Sequence, residues 1–89
     1  MKGEVVTLIT VMGEIIGRVK ETDNECIILT DPRLFVQQEG GAGFAPGVCM
    51  TGAENPKELT FRMNQVLSVV PSHDDLIKGW MAATSGIIL

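Results

Sequence analysis

VVTLITVMGEIIGRVKETDNECIILT, from Val5 to Thr30, has an apolar period near two rather than the 3.6 of a helix, with β-branched residues throughout. Val5 to Val11, Ile15 to Val19 and Cys26 to Thr30 read as three strands. The first break, Met12-Gly13-Glu14, puts Gly13 where a tight hairpin needs positive φ. Gly17 falls inside the second strand, where it weakens the ladder but permits a sharp bend. The second break, Glu21 to Glu25, is a polar turn in which Asp23 and Asn24 can bond their own backbone. Asp31-Pro32 interrupts the third run.

Beyond Pro32, Leu34 to Gln38 continues the third strand after a kink. Glu39 to Gly47 holds four glycines and a proline in nine residues, which predicts a loop. Val48 to Thr51 is expected as a short strand, followed by a second break at Gly52 to Lys57. Glu58 to Arg62 resumes extended character, Met63-Asn64-Gln65 turns the chain, and Val66 to Val70 is a final strand stopped by Pro71. The period then changes. Ser72 is placed to cap a helix whose first turn holds Asp74 and Asp75, where the helix dipole favours negative charge. Leu76, Ile77, Trp80, Met81 and Thr84 recur at helical spacing, and Gly86 ends the run. The expected organisation is one domain over 1–89, with strands over about 4–70 and a helix over about 73–84.

The chain has 89 residues, room for one small core. Seven Lys and Arg against eleven Asp and Glu give a formal charge of −4, so one protomer lacks the basic excess by which nucleic-acid modules usually release counterions. Apolar residues at 45% exclude a disordered chain, and apolar runs of three or four residues are too short to span a membrane. The segment Met1 to Glu14 has no apolar stretch of signal-peptide length, so a cytoplasmic protein is expected, with Cys26 and Cys49 as reduced thiols.

Catalytic constellations are weak. Cys26, Cys49 and His73 contain no Cys-x-x-Cys and no His pair, so no metal or other cofactor is expected. His73 reads as a solvated first-turn residue rather than a general base, and Asp23, Glu25, Asp74 and Asp75 have ordinary roles in turns and helix starts. Gly40, Gly41, Gly43 and Gly47 lack the strand-then-helix context and the spacing of a phosphate-binding loop. The chain is therefore not expected to be an enzyme.

Two segments resemble the halves of the Sm motif of the Sm and Sm-like (LSm) proteins, which form RNA-binding rings. The first half is matched by Val6-Thr7-Leu8, Met12-Gly13, Gly17-Arg18-Val19, Asp23-Asn24-Glu25-Cys26-Ile27 and Asp31, the second by Phe61-Arg62-Met63-Asn64 and Val66 to Val70. The resemblance implies an all-β fold, a small, strongly bent five-stranded antiparallel barrel of the Sm-like, SH3-like kind, here with a C-terminal α-helix. Such a barrel leaves two edges open, and in the family those edges pair between subunits, making Glu58 to Arg62 and Val66 to Val70 the interface strands of a closed homo-oligomeric ring. The family's base pocket draws on two turns, and the second supplies an Arg, matched by Arg62. A guanidinium suits the task because it stacks on a base while its charge faces phosphate. The other turn departs from the family: Glu25 holds the stacking position, Cys26 the Met position and Ile27 the position of the base-reading Asn. Met63 replaces the second-motif glycine, and no helix precedes the first strand.

The function this implies is a non-catalytic RNA-binding or RNA-remodelling ring. Its partner is single-stranded RNA, with uridine-rich sequences among the candidates, and no membrane is involved. The RNA-binding residues are Arg62, Asn64 and Asn24, helped by whichever of Lys2, Arg18, Lys20 and Arg33 face the pore. The alternative is an oligomeric protein-binding module with RNA binding lost, whose contact surface is Trp80 and Met81 of the C-terminal helix and the tail Ile87, Ile88 and Leu89, although a tryptophan at helical spacing more often packs against its own barrel.

Overall fold

The computed structural model describes residues 1–85. The elements run β1 (Val5–Thr10), β2 (Gly13–Thr22), β3 (Cys26–Gln38), β4 (Gly41–Phe44), β5 (Glu58–Arg62), a 3-10 turn (Met63–Gln65), β6 (Ser68–Pro71) and α1 (Asp74–Ser85). All pairings are antiparallel, in the order β4-β3-β2-β1-β6, with β5 also on β3. The long β3 serves two neighbours on one side: its first half, Cys26 to Thr30, carries β5 and its second half, Phe35 to Gln38, carries β4.

The five-stranded barrel is thereby corrected to six strands in an open sheet. No ladder joins β5 to β6. Two local reasons underlie the difference. Residues 63–65 coil into a 3-10 turn, so the last strand starts at Ser68 rather than Val66 and runs through Pro71, which an edge position tolerates because no ladder partner needs its N–H. The extra strand arises in the glycine-rich segment expected as loop. Glu39 and Gly40 form the turn between Gln38 and Gly41, and Gly40 takes φ +94°. Phe44 then packs edge-on against Phe35 with ring centroids 5.3 Å apart, anchoring a segment of poor strand propensity.

The short strand expected at 48–51 is absent, and residues 45–57 form an irregular connection instead. It is tied to β3 by the amide of Leu34 donating to Gly47 O, by that of Asp31 donating to Lys57 O, and by Arg33. Asp31 lies in the left-handed region at φ +50°, and the register of β2 on β3 shifts between Ile16 and Arg18, opposite Asp31-Pro32. Gly17 sits at this shift. A Cβ there would lie 3.0 Å from Leu29 Cβ and 3.2 Å from Thr30 O, so the bend requires glycine.

The sheet covers two apolar clusters. On its inner face Val6, Leu8, Ile15, Val19, Ile27 and Leu29 are buried together, with Phe61 of β5 and Val69 of β6 packed against them. On its outer face Val5 and Ile16 meet Trp80, flanked by Phe44, Leu76 and Ile77, so the apolar face of α1 lies on β1 and β2. Capping differs from expectation: the hydroxyl of Ser72 is buried against Thr7 Oγ1 at 2.8 Å, and His73 Nδ1 accepts the amide of Asp75 at 3.2 Å in its place. The roles expected for Gly86 and for residues 87–89 fall outside the described residues.

Candidate functional site

Asp23 organises the turn between β2 and β3. Its Oδ1 accepts the amides of Glu25 at 2.8 Å and Cys26 at 2.9 Å, while its own amide donates to Cys26 O. These two amide donors stabilise the ionised carboxyl and hold it below its usual pKa of 3.8. The turn is thus fixed by its own first residue, and it presents Asn24 and Glu25 to solvent.

The second loop is locked to the first. Arg62 ends β5 directly opposite Cys26 of β3, and the next amide, that of Met63, donates to Glu25 O at 2.8 Å. Met63 has negative φ, and its side chain packs against the inner cluster. This explains why methionine stands where the resembled motif has glycine: the 3-10 turn needs no left-handed residue here, and the side chain adds to the core.

Asn24, Glu25, Arg62 and Asn64 line one open depression of about 290 Å³. All three residues expected to bind RNA therefore meet at one place, with Glu25 as a fourth wall that the expectation had counted only as a departure. Among the described residues Arg62 has no ion pair, so the ordinary reading of an edge arginine held by a carboxylate does not apply. Ile27 is fully buried in the core and cannot reach the depression. Its amides come from Asn24 and Asn64 instead. Arg62 also borders an apolar groove of about 260 Å³ with Val11, Met12, Ile15, Phe61 and Val66, where Val11 and Met12 are well exposed. A larger hollow of about 470 Å³ at the β3–β4 hairpin has Glu39 as its sole ionisable lining residue.

The supporting cations have partners within the chain. Lys2 pairs with Glu21 at 2.9 Å and Lys20 with Glu58 at 2.7 Å, and the Glu58 carboxylate raises the Lys20 pKa through their hydrogen bond and charge. Arg18 donates to Gly3 O and lies over the Trp80 ring, 5.6 Å from its centroid. Arg33 is buried at 3% exposure and donates to Pro32 O and to Asn55 Oδ1. Arg18 and Arg33 are thereby held in structural tasks, while Lys2 and Lys20 sit in exposed surface pairs.

Trp80 packs against its own sheet rather than offering a contact surface. It is 3% exposed, and its indole N–H donates to Asp31 O at 2.8 Å, so the anchor of the protein-binding alternative is a core residue. Met81 is exposed, and the tail lies outside the described residues. Among the described residues, no three His, Cys, Asp or Glu side chains cluster to hold a metal ion, and no helix is long and apolar enough to cross a membrane. No known family model matches the chain, and no curated protein does.

Proposed function

We propose that this chain is a divergent Sm-like subunit that assembles into a closed homo-oligomeric ring in the cytoplasm and binds single-stranded RNA as a non-catalytic scaffold. The observation that carries the reading is the meeting of Arg62, Asn24 and Asn64 around one depression, built from the two turns that the resemblance pairs. A free guanidinium beside two amides offers a base or phosphate the donors and acceptors it needs. Ring assembly draws support from topology: β6 ends the sheet beyond β1, β5 lies on β3 at the other side, and each has one edge unpaired in the described chain. Such edges are templates for another strand, and head-to-tail pairing by rotation removes both. The exposed Val11 and Met12 beside β5 would be covered in the same contact.

The charge of −4 argues against a broad electrostatic grip, so affinity on this reading comes from repeating one small site around the ring. The test is titration of the purified assembly with labelled oligo-U, oligo-A and a mixed-sequence strand containing guanosine at two salt concentrations, beside Arg62→Ala. Binding that weakens about tenfold in the variant, with a reduced salt slope, is the expected result. Absence of RNA binding by an intact assembly overturns it.

A further inference from the structure

The geometry points to guanine as the base that the Arg62 depression reads, with Glu25 as its specificity-determining residue; this rests on the RNA-binding reading above. Glu25 is exposed, and its side chain forms no ion pair among the described residues, although the arginine lining the same depression carries the opposite charge. Its backbone is held on both sides, by the amide bond to Asp23 Oδ1 and by the carbonyl bond from Met63, so the carboxylate is displayed from a fixed position. An ionised carboxylate only accepts hydrogen bonds, and a guanidinium only donates them. A base that satisfies both must offer adjacent donors on one edge and acceptors on another.

Guanine meets that requirement. Its N1–H and N2–H2 are two neighbouring donors for the Glu25 carboxylate, and its O6 and N7 are two acceptors for Arg62. Adenine and cytosine each place a ring-nitrogen acceptor beside their single amino donor, which repels a carboxylate. Uracil flanks its N3–H with two carbonyls and is the poorest partner. Asn24 and Asn64, each both donor and acceptor, complete the rim without favouring a base. The residue that breaks the resemblance thus moves the preference away from uridine-rich RNA.

The experiment is a fluorescence-anisotropy titration of the intact protein with short labelled oligoribonucleotides. A uridine background carries isolated guanosines, which avoids quadruplexes, and matched strands carry inosine, adenosine or uridine at those positions. Inosine lacks only the 2-amino group. Tighter binding of the guanosine strand than the inosine strand by about tenfold is expected, as is loss of that difference in Glu25→Gln through weaker binding of the guanosine strand. Equal affinity for the guanosine and inosine strands, or a guanosine preference that survives Glu25→Gln, overturns the assignment while leaving RNA binding intact. Failure of every strand to bind overturns both readings. Glu25 is exposed, and a matching circular dichroism spectrum of the variant confirms that its fold is unchanged.

Discussion

Trp80 fills the space between α1 and the outer face of β1 and β2, and its indole N–H occupies the carbonyl of Asp31, a residue in the left-handed region. Trp80→Ala should lower the unfolding free energy by about 3–5 kcal/mol in urea denaturation, because it removes a large buried side chain and leaves that carbonyl unpaired. Gly17→Ala should cost about 1–3 kcal/mol by the same measurement, since its new methyl would press on Leu29 and Thr30 at the β2 register shift. Both roles were partly legible. The spacing of Leu76, Ile77 and Trp80 marks one apolar helix face, and Gly17 stands out in its strand, yet nothing local shows that Asp31 receives the indole. The same limit hides the partners of the cations: Lys20 finds Glu58 across 38 positions, and Arg33 finds Asn55 across 22. Which charges remain free depends on pairings that only the folded chain creates.

The β2–β3 turn is the element on which the site depends, and Asp23 carries it. Its carboxyl is held below its usual pKa in the folded chain, so its ionised form contributes stability above that value of 3.8, and the contribution is lost as pH falls through the depressed folded value. Thermal unfolding followed from neutral pH down to about pH 3 should show a shallower acid decline in Asp23→Ala than in the parent, with the variant less stable at neutral pH. Equal slopes would mean that the turn does not depend on that charge. This turn was readable from Asp-Asn in a polar break, because its hydrogen bonds are local. β4 was not: Gly41-Ala42-Gly43 has almost no strand propensity, and its ladder exists because Phe44 reaches Phe35 and the helix glycine Gly79. Capping by His73 in place of Ser72 has the same origin, since a contact with Thr7, 65 positions away, takes the serine hydroxyl.

For the whole molecule, alternation gives an antiparallel sheet with a terminal helix, and the strand order follows the hairpins except where β3 also holds β5 and where β6 returns to β1. Closure was not readable, because it depends on how far β5 and β6 extend around the 3-10 turn. The candidate site was legible as a set of residues, but the part of Glu25 emerges only when both turns are placed together. If β5 and β6 pair between copies, native mass spectrometry should find one species at a whole-number multiple of the 9.6 kDa protomer, unchanged on moderate dilution. A protomer-mass species at all concentrations would remove the ring. The central claim, that the Arg62 depression receives single-stranded RNA, is tested most directly by a backbone-amide NMR titration with a short oligoribonucleotide. Shifts concentrated at Asn24, Glu25, Arg62, Met63 and Asn64, and lost in Arg62→Ala, are the predicted result. Shifts centred on α1 around Met81, or no saturable shifts, would contradict it.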